Sequence, residues 1–409
     1  MRIERIETFL LKAPLGDKTF WSSQCKFGSR KCLLIRIETD SGLVGWGEAG
    51  QHGPAECVAT AIHSVLAGLL LGQDPRQPEV LWERMYTTVR DYGRTGTYVE
   101  AISGIDIALW DILGRHLGVP VYTLFGGAFR RRVCAYATGL YYVGERPTLE
   151  SNMPALVQEA RGYAARNFPA VKIKIGLLRP EEDLQRVAAV REEIGGRILL
   201  ADANHAYAPH VAVSVARMLE KYDVFWFEEP VVPESIQGYR QVKAATSIAI
   251  AGGECEHTRY GFEKWFSAQA LDIAQPDVCC AGGLSELRRI AAMASAFHIA
   301  CFPHVWGSSL ALAAGLHLIA ALPPSPATAR PVAPFNEPML EWDSSPNPLR
   351  TSLFTNPPAM INGEVSVPDG PGLGIEPVIS RFEPFLASHI ATDATGTHCL
   401  SDHAGSKAS

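Results

Sequence analysis

Lys172 and Lys174 stand two residues apart in Val171-Lys172-Ile173-Lys174-Ile175. Side chains of an extended chain alternate faces, so the two ammonium groups share one face and the three aliphatic residues the other. Like charges side by side favour the neutral amine. The pair therefore predicts a lowered pKa for at least one lysine, and with it a base usable near neutral pH. Alone, a Lys-x-Lys pair is more often a solvated strand face, because lysine is rarely fully buried. Three acids further along change that weighing. Asp202 ends Leu199-Leu200-Ala201-Asp202, Glu228 ends Phe225-Trp226-Phe227-Glu228, and Glu254 follows Ile250-Ala251-Gly252-Gly253, each 26 residues from the last. Each has a plain reading by itself. Asp202 suits a helix cap, Glu228 a loop or one half of a glycosidase-type pair, and Glu254 a loop. Their common spacing is hard to obtain from three accidents. On neighbouring strand ends, about 5 Å apart, they would converge. Three anions so placed require a cation, and an all-oxygen set with open water positions fits Mg2+.

Two more residues continue the series, Asp277 in Gln275-Pro276-Asp277 and His304 in Phe302-Pro303-His304-Val305-Trp306. Either alone is more commonly structural. On adjacent strand ends they would form a dyad in which Asp277 orients the His304 imidazole and raises its basicity. Lys174 and His304 would then approach the metal from opposite sides. A substrate carboxylate chelating the ion, with a base on each face, suits α-proton removal and a metal-stabilised enediolate.

The elements that must hold these residues follow from the pattern after Val133. Short apolar runs at Val133–Thr138, Val171–Ile175, Ile198–Asp202, Val224–Glu228, Ile248–Gly252, Ile273–Gln275 and Ala300–Pro303 alternate with helical segments such as Pro180–Ile194, Ala208–Lys221 and Gly283–Phe297. Met339–Trp342 supplies a last short strand. Repeated β–α units predict a parallel (β/α)8-type barrel with its chemistry at the C-terminal strand ends. Residues 1–130 form a separate α+β unit, with a first strand from Arg2, a hairpin turning at Asp40-Ser41-Gly42, and helical patterns ending with Tyr98–Leu117. Residues 131–355 are assigned to the barrel, in a (β/α)7β form, and 356–386 to a segment returning to the N-terminal unit. Residues 387–409, small and polar, are expected to be a disordered tail.

Composition narrows the class. A formal net charge of −6 and the absence of a Lys/Arg-rich run argue against a nucleic-acid partner. Nine cysteines without a Cys-x-x-Cys pair suit a reducing cytoplasm. The stretch from Met1 to Leu15 lacks the apolar core of a signal peptide, and the longest apolar run, Cys57–Leu71, is too short to span a bilayer.

Lys172-Ile173-Lys174, Asp202 with Asn204, Glu228-Glu229-Pro230, Gly253-Glu254, Asp277 and His304 together resemble the mandelate racemase subgroup of the enolase superfamily over about residues 1–385. The resemblance implies a modified TIM barrel under an α+β capping domain. It implies Asp202, Glu228 and Glu254 as Mg2+ ligands, Lys174 as one acid/base and the Asp277–His304 dyad as the other. Lys172 becomes the neighbour that lowers the Lys174 pKa and a contact for the substrate carboxylate, with Asn204 also binding substrate. Glu341 matches the glutamate that donates to the developing enediolate, at a longer separation from His304 than in mandelate racemase. Cap loops near Trp21 and His52 would close over the substrate. A homo-oligomer, dimer or octamer, is also implied.

Four further stretches are similar to the galactarolactone cycloisomerase family: Ser103–Asp111, Trp226–Glu234, Pro303–Gly307 and Asp369–Glu376. They imply opening of a sugar-diacid lactone to a 3-deoxy-2-keto diacid. Phe20–Gln24 and Cys255–Arg259 differ, and are where specificity should change. The alternatives within this chemistry are an acid-sugar dehydratase and a racemase or epimerase of a 2-hydroxy acid. Outside it stand a metal-independent glycosidase, which leaves both lysines and the dyad unexplained, and a barrel that binds acid sugars without catalysis.

Overall fold

The computed structural model describes residues 1–50 and 53–402. Three long strands open the cap, β1 (Ile3–Pro14), β2 (Ser29–Thr39) and β3 (Val44–Ala49), paired antiparallel in that order. Helices α1 (Ala55–Ala61), α2 (Pro78–Gly93) and α3 (Thr97–Leu117) cover one face. Ile102, Ile105, Leu109 and Ile112, spaced for a helix, are all fully buried. Gly118 ends α3 at φ +68°, its N–H closing onto the carbonyls of Gly114 and Arg115, and Pro120 prevents continuation. The helix lies so close to β3 that a Cβ on Gly47 would overlap the carbonyl oxygen of Gly104.

The barrel follows. Its strands are β4 (Arg132–Gly139), β5 (Ala170–Lys174), β6 (Ile198–Asp202), β7 (Val224–Glu228), β8 (Ala249–Gly252), β9 (Ile273–Ala274), β10 (Ala300–Cys301) and β11 (Leu340–Asp343). Neighbours from β4 to β10 pair parallel, and β11 pairs parallel with β4 on its other side. One helix follows each of the first seven strands. Pro180 and Pro209 stand at the first helical positions of Pro180–Ile194 and Pro209–Leu219, where the missing N–H costs nothing. Alternation along the strands sorts the core. Val171, Ile173, Leu199, Ala201, Phe227 and Ile250 point outward under the helices, whereas Ala170, Leu200, Trp226 and Ala251 fill the interior. The inward positions one step further along are Lys172, Lys174, Asp202 and Glu228.

The C-terminal part differs from expectation in two ways. Within 356–386, Glu364–Ser366 pairs antiparallel with the start of β4, on the barrel, and only then does Gly372 meet the end of α3, exchanging backbone hydrogen bonds with Val119 and Val121. Residues 387–402 are not a disordered tail. They form β12 (Leu386–Asp393) and β13 (Gly396–Asp402), a hairpin that pairs antiparallel with β1. The composition is small and polar, but β1 would otherwise present an open sheet edge, and Ile390 and Thr392 are β-branched residues that suit pairing with it. Residues 403–409 lie outside the described part. Among the described residues no helix is long and apolar enough to cross a membrane.

The seam between β1 and β12 carries titratable groups. His63 is buried between the hydroxyls of Thr8 and Thr392, 2.8 Å from each. Burial, aided by the nearby His389, lowers its pKa from 6.5 to about 4. Glu7 is held at about 2, because hydrogen bonds from His389 and Arg36 outweigh the effect of burial. Both folded pKa values are depressed, so folding releases protons. The His63 contribution is complete above pH 6.5 and is lost as pH falls to about 4, and that of Glu7 is lost between 4.5 and about 2. Thermal melts should therefore weaken steadily on acidification through these windows. His63→Gln should flatten the upper window, and an unchanged slope there would remove His63 from the effect.

Candidate active site

Register brings the charged residues together. Lys174 lies opposite Asp202, Asp202 opposite Glu228, and Glu228 opposite Ala251, so one row crosses four parallel strands. Glu254 follows β8 by two residues and turns back into the same space after Gly253, whose φ of +108° suits glycine. Asp202, Glu228 and Glu254 each place an oxygen within 4.8 Å of the others. Gln275 Nε2 and Trp226 Nε1 donate to Glu228 Oε2 at 2.8 and 2.9 Å and fix its orientation.

Both lysines are drawn into this charge. Lys172 Nζ lies 2.6 Å from Glu228 Oε1, 2.8 Å from Glu341 Oε1 and 3.5 Å from Asp202 Oδ2. Lys174 donates to Asp202 and, at 3.0 Å, to Asn204 Oδ1. The expected lowering of a lysine pKa is not observed. Burial does lower both, but Glu228 and Glu341 at Lys172, and Asp202 and Tyr141 at Lys174, outweigh it and raise both well above the usual value. The mutual Lys–Lys repulsion is real but smaller than the pull of the acids. Asp202 is correspondingly held very low, the two ammonium groups outweighing its burial, whereas burial and the Asp202 charge push Glu228 up.

Opposite the lysines, Asp277 and His304 form a parallel backbone bridge just beyond β9 and β10. His304 Nδ1 lies 2.6 Å from Asp277 Oδ2, and since a carboxylate only accepts, Nδ1 carries the proton. Nε2 is left facing Glu254 Oε2 at 3.5 Å and Glu341 Oε2 at 3.9 Å. Burial lowers the His304 pKa, but Glu254, Glu341 and Asp277 together push it up to about 10. Glu341 sits at the β11 position facing inward, bonded by Thr138 Oγ1 at 2.6 Å and held at about 2, where Lys172 and His304 outweigh its burial.

These groups open on a cavity of about 700 Å³ between barrel and cap, lined among others by Lys174, Asn204, Glu254, Asp277, His304 and Glu341. The cap loop after β1 rests on the end of β6: Ser23 Oγ donates to Ala203 O at 2.7 Å and Gln24 Nε2 to Asn204 O at 2.5 Å. Ser22 and Gln24 line the cavity. Trp21 is turned elsewhere, its indole donating to Gly144 O at 2.8 Å with Lys26 over the ring. His52 lies outside the described residues.

Two cap residues at the cavity were missed in the sequence. Glu48, at the end of β3, accepts from Ser308 N and Oγ, the latter at 2.6 Å. Arg30, at the start of β2, stacks 3.8 Å from the Trp306 ring centroid and reaches Asp343 at 2.6 Å. Strand-end position was the available signal for Glu48. Nothing local marks Arg30, whose partners are about three hundred residues away.

Two family models cover most of the chain. The N-terminal domain of mandelate racemase/muconate lactonizing enzyme matches residues 6–126, and the enolase C-terminal domain-like family matches residues 155–380. The chain belongs to the enolase superfamily. It is an enzyme of the isomerase/lyase kind found there. It is 43% identical to a D-galactarolactone cycloisomerase of Agrobacterium fabrum, covering 92% of this chain and 96% of that protein. It is 37% identical to an arabinonate dehydratase of Saccharolobus solfataricus, over 84% of this chain and 87% of that one. A racemase from Streptomyces coelicolor, solved with bound magnesium, superposes with a TM-score of 0.82 at 32% identity, covering 94% of this chain and 99% of the other. The barrel-and-cap architecture expected from the sequence is thus the family's own.

Proposed function

We propose that this enolase-superfamily enzyme opens D-galactarolactone to a 3-deoxy-2-keto diacid. The observation that carries the reading is the placement of Lys174 and the Asp277–His304 dyad on either side of three converging carboxylates in one cavity. Similarity to the Agrobacterium cycloisomerase supports the substrate. Asp202, Glu228 and Glu254 fit Mg2+ by donor type and convergence. Bound there, the ion would offset the charge that now holds both lysines protonated and polarise the substrate carboxylate.

Lys174 and His304 are the two acid/base groups, one for each face of the α-carbon. Removal of the α-proton forms a C=C bond, and the bond from the β-carbon to the ring oxygen breaks, releasing that oxygen as a carboxylate. The enol then takes a proton at carbon and becomes the 2-keto group. Asp277 holds His304 in the tautomer whose Nε2 faces the cavity. Lys172 and Asn204 bind the substrate carboxylate side, and Glu341 donates toward the developing enediolate once it carries a proton from its neighbours.

The dehydration of a sugar acid is the second reading, favoured by the similarity to arabinonate dehydratase. The test is incubation with lactones, sugar diacids and sugar monoacids in D2O with Mg2+, followed by proton NMR. A 2-keto-3-deoxy diacid from galactarolactone is the expected result. The same type of product from an open-chain sugar acid would select dehydration. Deuterium at the α-carbon without elimination would select racemisation or epimerisation, and no exchange with any substrate would overturn the proposed substrate class.

A further inference from the structure

A second set of donors converges beside the carboxylate triad and plays no part in the chemistry above. His205, Glu229 and Cys255 follow Asp202 by three residues, and Glu228 and Glu254 by one each. They come from the same three strand ends, β6, β7 and β8, and each offers a ligand atom within 4.8 Å of the other two. Glu229 is 1% exposed. Its Oε2 stands 2.7 Å from His205 Nε2, yet neither atom makes an aligned hydrogen bond.

An independent observation marks the same place. The Tyr239 side chain is fully buried and its hydroxyl has no hydrogen-bond partner; after burial itself, Glu229, Glu254 and Cys255 are the groups that act on it most strongly. A polar atom buried without a partner is costly and calls for an occupant nearby. The donor set states what kind. One imidazole nitrogen, one carboxylate oxygen and one thiol sulfur make a mixed set that suits a borderline ion such as Zn2+ or Co2+, whereas Mg2+ prefers oxygen alone.

We propose that His205, Glu229 and Cys255 form a second metal site, distinct from the oxygen triad, that takes a thiophilic divalent cation. His205 and Cys255 both line the cavity, so the remaining coordination position faces the substrate space. On binding, the Cys255 S–H bond breaks, its proton leaves to solvent and the sulfur bonds the metal, with no change of oxidation state. The ion ties the ends of β6, β7 and β8 together directly behind Asp202, Glu228 and Glu254.

Co2+ is the probe, titrated into the full chain held in excess Mg2+, with near-ultraviolet absorbance and equilibrium dialysis as readouts. The expected result is one bound Co2+ with a thiolate-to-cobalt charge-transfer band. Cys255→Ser abolishes the band and His205→Gln weakens it, whereas Asp202→Asn, which damages the oxygen triad, leaves it. Cys25, Cys57 and Cys399 are exposed and supply the competing explanation. A band that survives Cys255→Ser, or no band in the unsubstituted protein, overturns the proposal. Should the serine variant fail to fold, Zn2+ protection of Cys255 from alkylation, mapped by mass spectrometry on the unsubstituted chain, reads the same site. Equal labelling with and without Zn2+ overturns it.

Discussion

Lys174→Ala should lower kcat by about 10²–10⁴-fold, the range spanned by positioned general acid–base groups. The residue closes the inward row of β5, lies opposite Asp202 in register and reaches the cavity. Removing its side chain leaves a small void at a strand end and no buried charge without a partner, because the freed Asp202 keeps Lys172 at 3.5 Å. The fold should survive, as circular dichroism and a thermal melt would verify. His304→Asn should cause a loss of the same order from the opposite face. Deuterium exchange separates the two roles. The variant that retains the proton-abstracting group should still wash deuterium into substrate while forming little product, and the other should do neither. A variant that turns over at the wild-type rate would remove its residue from the chemistry altogether.

Gly47→Ala should be the most damaging single methyl group that can be added to the cap. The new Cβ would collide with Gly104 O, with Ala108 N and Gly104 C close behind, and all three are backbone atoms of α3. No rotamer change relieves such a clash. The helix must move off the sheet, and overpacking ordinarily costs about 1–3 kcal/mol, more where the obstacle is rigid. The damage should reach the active site, because the next residue of β3 is Glu48, which Ser308 binds at the cavity rim. Gly68→Ala is the matched control. That glycine is helical and exposed, and a Cβ there meets nothing within 4 Å. It should be neutral or slightly stabilising. The comparison is read as the melting temperature and soluble yield of the two variants. Equal stability would mean that the helix–sheet contact yields more easily than its geometry indicates.

What could be read from the sequence follows a physical division. Asp202, Glu228 and Glu254 were legible because a parallel barrel turns a regular spacing along the chain into a regular row in space, and period-two alternation aims that row inward. The same logic pointed to Lys174, Asp277 and His304, whereas Glu341 came only from the family resemblance. The charge state of the lysines was not legible. It depends on which acids surround Nζ in three dimensions, and the nearest feature in sequence, the other lysine, is the weaker influence. Trp21 was implied by the resemblance as part of a cap loop, but a two-residue strand pairing turns it toward Gly144, and Gln24 faces the site instead. The closing hairpin was hidden because Ser388, His389 and Thr392 are polar in composition. Only the presence of β1 as a template makes them a strand.

That hairpin joins the last part of the chain to the first. β1 lies between β2 and β12, so one side of the opening strand is completed by residues made several hundred positions later. At about 5–20 residues per second, a nascent chain waits tens of seconds between the two events. Throughout that interval β1 offers a row of free backbone donors and acceptors, a template that other nascent chains can join. A ribosome-bound intermediate that stops short of residue 386 would hold an assembled barrel beside an unfinished cap. Premature termination there should therefore yield a chain that aggregates through its N-terminal strand, far in sequence from the break.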